Sequence, residues 1–167
     1  MVLAHIAPDG ASIQRMDRIA PTGRAWVAVQ TVLFGAIVGA PLIARGTFPF
    51  PVPVLGVVVM AAAVSWMAWS YRALGSSHSA WVAPTDDGGL VTTGPYAWVR
   101  HPIYAGWIGL SFGWGLATGS WLVVVLAAAL AIFYDARARA EERLLEARFD
   151  GYRAYRAHVN RLIPGVY

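Results

Sequence analysis

Charged residues are withheld from three long stretches of this chain. From Ala25 to Ala44 there are twenty residues without a charged side chain, and as a helix rising about 1.5 Å per residue they cross the roughly 30 Å hydrocarbon core of a bilayer. Arg45-Gly46 and the prolines at 49, 51 and 53 break that helix, and a second uncharged stretch continues through Val54 to Tyr71. The short connection predicts an antiparallel hairpin with Trp66, Trp69 and Tyr71 near one interface. Gly35 and Gly39, four apart, would permit close helix contact, although a tolerated pair of small residues explains them slightly better.

The third stretch, Pro102 to Tyr134, is too long for one span and slightly short for two, and Gly119-Ser120 stands near its middle. It predicts a tight hairpin turning there, with one long tilted helix as the weaker alternative. The second helix extends through Asp135 to Ala140 as Arg137 and Arg139 snorkel toward the interface. Beyond it the residues read as helix from Asp135 to Phe149, a break at Asp150-Gly151, and a shorter helical piece carrying Tyr152, Tyr155, His158 and Val159 before Ile163-Pro164-Gly165. This aromatic and basic mixture suits a surface lying on lipid headgroups.

The predicted fold is an all-α integral membrane protein, with about four transmembrane helices in two hairpins plus a cytoplasmic C-terminal helical tail. Its parts are an N-terminal segment (1–24), a first hairpin (25–71), a loop (72–101), a second hairpin (102–134) and the tail (135–167). Composition agrees, at 57% hydrophobic and 13% charged residues. Arginine placement orients the chain. Arg15, Arg18 and Arg24 precede the first span, Arg72 and Arg100 lie in the central loop, seven follow the last span, and Arg45 alone falls opposite. Both termini and the central loop are therefore expected on the cytoplasmic side. The N-terminus does not read as a signal peptide, because Asp9, Asp17 and several arginines interrupt it.

Chemistry is bounded next. With no cysteine there are no disulfides, thiolate metal sites or cysteine nucleophile, and four scattered histidines give no metal-ligand spacing. The net charge of +4 lies beside oily segments, so the expected partners are membrane lipids and not nucleic acid. Gly75-Ser76-Ser77 and Asp86-Asp87-Gly88-Gly89 make the central loop turn-prone, ordered by what it binds.

Polar residues are concentrated at one place. Gly94-Pro95-Tyr96 and then Arg100-His101-Pro102-Ile103-Tyr104-Ala105-Gly106 stand at the edge of the second hairpin, and Glu141-Glu142 lies just beyond its far end. A bilayer makes buried charge expensive, so a cluster at its mouth is a candidate site, here for a cofactor. Plainer readings compete. His101 could cap the hairpin's first helix, and Glu141-Glu142 could be a solvated face paired with Arg137 one turn away. Tyr152 and Tyr155 read as interface anchors, and His78 as a loop residue. Two separated motifs in order favour function over these.

Leu90-Val91-Thr92-Thr93-Gly94-Pro95-Tyr96, then Arg100-His101-Pro102 with Tyr104 and Gly106, then Glu141-Glu142 and the closing Tyr-rich Ile-Pro-Gly tail resemble the isoprenylcysteine carboxyl methyltransferase family. The same architecture is similar to phospholipid methyltransferases. The match covers roughly the C-terminal half, and the first two spans match only in kind. The resemblance implies an integral membrane methyltransferase that binds S-adenosylmethionine at the cytoplasmic face, yields S-adenosylhomocysteine and receives a lipid-like acceptor from the bilayer. By resemblance, Leu90, Val91, Tyr96, His101, Pro102, Ile103, Tyr104 and Glu141 fall on cofactor-contacting positions, and Arg137 falls on an acceptor-contacting arginine. The cofactor carries a sulfonium cation, an amino-acid end, a ribose diol and an adenine, so its pocket needs acceptors, donors and aromatic faces together. The chain has fewer spans than larger members, so the acceptor groove is either simpler or completed by a second copy in a homodimer.

The leading expectation is methyl transfer to a carboxylate of isoprenylcysteine type, with phospholipid amines or small thiols as the next acceptors. A non-catalytic four-helix membrane protein whose basic tail binds anionic headgroups is the alternative of another class.

Overall fold

The computed structural model describes residues 23–75 and 90–166. The expectations for the N-terminal segment up to residue 22, and for His78 and the turn-prone loop over 76–89, lie outside the described residues.

Among the described residues five α-helices follow the hydrophobic pattern: α1 (Gly23–Ile43), α2 (Val52–Leu74), α3 (Pro102–Thr118), α4 (Trp121–Arg148) and α5 (Tyr152–His158), with a 3-10 turn at Gly94–Ala97. Three of them, α1, α2 and α4, are long and apolar enough to cross a membrane. The fourth oily helix, α3, has 17 residues, about 26 Å at 1.5 Å per residue, the short end of a span. Among the described residues there is no strand, and one isolated parallel bridge joins Val99 to Asn160.

The long third run is two helices. Thr118 ends α3 because Gly119 takes a left-handed conformation at φ 69, which a side chain with Cβ resists. Ser120 then caps α4, its hydroxyl accepting from Val123 N and donating to Ala44 O at 2.7 Å. A Cβ on Gly119 would lie 2.6 Å from Gly46 O, so the turn is seated on the connection between α1 and α2. From Trp121, α4 continues through Asp135 without interruption to Arg148. The uncharged part of α4 ends at Tyr134.

The first two helices run antiparallel but are splayed: α2 packs along α3 and α1 along α4, in place of a hairpin packed on itself. Gly56 of α2 and Gly113 of α3 make the close approach. A Cβ on Gly113 would meet Gly56 O at 2.8 Å, so backbone touches backbone there. Among the described residues Gly35 and Gly39 have nothing within 4 Å of a built Cβ, and their spacing mediates no contact there. On the other side α1 sits over α4, with Ile37, Ala40, Val123, Leu130 and Tyr134 forming the core. Trp114 Nε1 adds a 3.2 Å hydrogen bond to Ile37 O. Val32, Leu42, Val57, Val58, Val125 and Ile132 remain exposed, the surface that faces lipid tails.

The antiparallel order gathers the C-terminus of α2, the N-terminus of α3 and the charged end of α4 at one end of the bundle. The site lies there.

Candidate active site

Pro102 opens α3, where its fixed φ and missing N–H are tolerated. His101 occupies the cap position, yet its side chain makes no capping hydrogen bond. The ring is instead buried between two carboxylates from α4, with Nδ1 3.7 Å from Glu141 Oε2 and Nε2 3.3 Å from Glu142 Oε1. The second contact is at ion-pair distance without hydrogen-bond alignment. One turn into α3, Tyr104 donates its hydroxyl to Glu141 Oε2 at 2.8 Å.

Aromatic faces extend the cluster. The His101 and Tyr104 rings stack at 5.3 Å and 5°, and Tyr104 stacks on Tyr134 at 4.6 Å and 14°. The Arg137 guanidinium lies 5.7 Å over the Tyr104 ring and donates from Nη1 to Gln30 Oε1 at 2.7 Å. His101, Tyr104, Arg137 and Glu141, scattered in the chain, thus form one constellation. Pro102 is buried beside them and its carbonyl accepts from Trp66 Nε1 at 2.9 Å. Ile103 is half-buried.

Tyr96 is held by the 3-10 turn, buried, with its carbonyl accepting from the Tyr155 hydroxyl at 2.6 Å. Burial, and then the nearby Glu141, raise its phenol pKa well above the ordinary tyrosine value. Leu90 and Val91 are half-buried on the segment entering this turn. Among the described residues no hydrogen bond or ring contact joins them to the His101 cluster.

Sequence reasoning missed a second layer. Glu142 is 2% exposed, so the solvated-face reading fails for it. Arg100 reaches it from Nε and Nη2 at 2.8 Å each, and Arg161 from Nε and Nη2 at 3.1 Å each. Arg161 also donates to Asp135 Oδ1 at 2.9 Å. Burial alone would raise the Glu142 pKa, but His101, Arg161 and Arg100 hold its carboxyl well below the ordinary range. The backbone makes the same connection, with Arg100 N donating to Asn160 O at 2.8 Å and His101 N to Arg161 O at 3.0 Å. Arg100 and the Ile-Pro-Gly tail were visible signals; their pairing was not.

Tyr152 is 1% exposed, buried in the protein and not at an interface; Tyr155 is half-buried with its hydroxyl on Tyr96 O, and burial pushes its phenol up to about 12. Among the described residues no group of three His, Asp or Glu side chains is placed to hold a metal ion.

Chemically the constellation offers a partly exposed carboxylate, an imidazole and stacked ring faces on one flank. Such groups favour a cation with polar appendages. A buried guanidinium stands on the other flank and favours an anionic oxygen.

Comparison with known proteins is consistent with that chemistry. The phospholipid methyltransferase family profile matches residues 52–151. The nickel-cobalt-cadmium resistance protein NccN of Alcaligenes xylosoxydans xylosoxydans is 39% identical over 77 residues, covering 45% of this chain and 36% of that protein. The cobalt-zinc-cadmium resistance protein CzcN of Cupriavidus metallidurans is 38% identical over 76 residues, covering 45% of this chain and 35% of that protein. The match thus spans about a third of the length of these relatives. The eukaryotic intramembrane Ras methyltransferase ICMT (isoprenylcysteine carboxyl methyltransferase) shares the fold, with a TM-score of 0.64 at 22% identity over 96% of this chain and 55% of its own.

Proposed function

The chain belongs to the phospholipid methyltransferase family, whose profile spans residues 52–151, and from that premise we propose an S-adenosylmethionine-dependent methyltransferase acting on a lipid-like carboxylate of isoprenylcysteine type. Its membrane setting follows from three helices long and apolar enough to cross a bilayer. The site is assigned to the cytoplasmic side, because Arg24, Arg72, Arg100 and the tail arginines all lie toward that end.

One observation carries the reading: His101, Tyr104, Glu141 and Arg137 converge from two helices onto one stacked aromatic cluster. The donor set fits the cofactor. Glu141 and His101 supply polar partners, Tyr104 and Tyr96 supply ring faces and hydroxyl chemistry, and Leu90, Val91, Pro102 and Ile103 supply apolar walls. When bound, S-adenosylmethionine brings an electrophilic methyl group to an electron-rich acceptor atom.

The protein's own part is positional. The Tyr104 hydroxyl fixes Glu141, and the Tyr104–Tyr134 stack lines the flank that Arg137 shares. An ionised carboxylate acceptor needs no general base, so Arg137 has only to hold and orient it by charge-assisted hydrogen bonds.

Transfer of a labelled methyl group tests this. Purified protein in lipid nanodiscs would be given labelled S-adenosylmethionine with a farnesylated cysteine, phosphatidylethanolamine or a small thiol. The reading predicts base-labile label on the farnesylated cysteine, the signature of a methyl ester. Stable label on the amine or thiol would overturn the carboxylate assignment, and no transfer to any acceptor would overturn the enzyme.

A further inference from the structure

Helix α1 lies outside the segment that the family profile matches, yet it carries polar side chains into the cluster. Gln30 Oε1 accepts from Arg137 Nη1 at 2.7 Å. One turn earlier on α1, the Trp26 ring packs edge-on against Phe133 at 5.3 Å, and Phe133 in turn meets Tyr134 at 5.4 Å. Trp26 and Gln30 therefore face the same two turns of α4 that hold Phe133 and Arg137, and the ring stack links them to Tyr104 and Glu141.

Donor chemistry then becomes informative. A guanidinium only donates, so the Gln30 oxygen must face Arg137, which leaves the amide N–H2 group as a donor. Trp26 Nε1 is buried with no hydrogen-bond partner among the described residues, and such a donor among oily helices calls for an explanation. Together these are an amide N–H2 beside the Arg137 guanidinium and, one turn earlier on α1, an indole N–H on a ring packed against Phe133. An amine headgroup would find donors there, whereas an anionic oxygen would find acceptable partners on several sides.

We propose that Gln30 and Trp26 form the α1 half of the acceptor site, Gln30 positioning Arg137 and both side chains donating to the carboxylate of the acceptor. This rests on the methyltransferase reading with Arg137 at the acceptor. It adds that acceptor specificity is set in part by a helix outside the matched segment, in favour of acids over amines.

The test uses the whole chain in nanodiscs, saturated with S-adenosylhomocysteine, and measures calorimetric binding of N-acetyl-S-farnesylcysteine and of its uncharged carboxamide. Trp26→Phe keeps the ring and removes the N–H; Gln30→Leu keeps the volume and removes the polar group. Each should weaken the acid about 10-fold or more, as loss of a hydrogen bond to a charged group does, with a smaller loss for the carboxamide, whose neutral carbonyl is the weaker acceptor, and S-adenosylhomocysteine affinity unchanged. Gln30→Glu is the second probe. It retains a partner for Arg137, so it should fold, and should weaken the acid further by like-charge repulsion.

Unchanged acid binding in folded Trp26→Phe and Gln30→Glu proteins would overturn the proposal while leaving the enzyme reading intact. Wild type that methylates phosphatidylethanolamine in preference to the acid would do the same. Failure of wild type to bind S-adenosylhomocysteine would sink the methyltransferase reading, and this inference with it.

Discussion

Tyr104 donates its hydroxyl to Glu141 across 37 residues at 2.8 Å, tying the first turn of α3 to the charged end of α4. The bond exists because the turn at Gly119-Ser120 folds two helices of unequal length side by side. The longer one, α4, carries its carboxylates past the membrane-length part of the hairpin and back over the start of the shorter one. Glu141 thereby faces the ring stack, and Glu142, the next residue, faces the returning tail.

Removing only that hydroxyl separates cofactor chemistry from folding. Tyr104→Phe keeps the stacks with His101 and Tyr134 but frees the Glu141 carboxylate. Affinity for S-adenosylmethionine should fall by about 10-fold, the worth of one charge-assisted hydrogen bond, while thermal stability stays close to wild type. Calorimetry with a melting curve on the same preparation checks both.

Arg137→Ala should act differently. Because the guanidinium stands on the flank away from the His101 and Glu142 pair, acceptor affinity should drop by about 10-fold or more. S-adenosylhomocysteine affinity should hold. Equal losses of both would contradict a dedicated acceptor role.

Glu142 should govern stability. Glu142→Ala would leave Arg100 and Arg161 facing one another without their shared carboxylate, and loss of one partner of a buried ion pair costs about 3–5 kcal/mol. The signature should be local as well as global, with hydrogen exchange accelerating at the amides of Arg100 and His101, which pair with Asn160 and Arg161. Loss of exchange protection confined to α1 or α2 would contradict the assignment of this clamp to the tail.

The same carboxylate sets an acid limb. Its folded pKa lies below the unfolded glutamate value of about 4.3, so its stabilisation is fully present above that value and is lost as pH falls toward the folded one. The melting temperature should therefore decline below about pH 4, and Glu142→Gln should show a lower but flatter profile there. A wild-type acid limb unchanged in Glu142→Gln would place the effect elsewhere.

How much of this was legible in the amino-acid sequence depended on range. The uncharged runs marked the helices, and Gly119-Ser120 near the middle of the over-long third run marked the hairpin turn, because both signals are local. Motif resemblance linked His101 to Glu141. The hub at Glu142 was not legible, since a glutamate beside several arginines reads as a solvated face until Arg100 and Arg161 are brought in from 42 and 19 residues away. Nor was the real close approach, Gly56 on Gly113, because it joins different helices; the preference for reading Gly35 and Gly39 as a merely tolerated pair holds. Gln30 is one polar residue in an oily span, and only its contact with Arg137 gives it meaning.

That glycine contact gives its own prediction. Gly113→Leu must push the Gly56 backbone away and should destabilise the bundle by about 1–3 kcal/mol, whereas Gly39→Ala should be neutral. Melting of the two variants in one detergent compares them directly.

The central claim is that the cluster where α3 meets α4 binds S-adenosylmethionine. Its most direct test is calorimetric titration of S-adenosylmethionine and S-adenosylhomocysteine into detergent-purified wild type, His101→Ala and Glu141→Ala, each checked for folding by its melting transition. The account predicts saturable binding to wild type and loss of at least about 10-fold in affinity in both folded variants. Absence of binding by folded wild type, or undiminished binding by both variants, would contradict it.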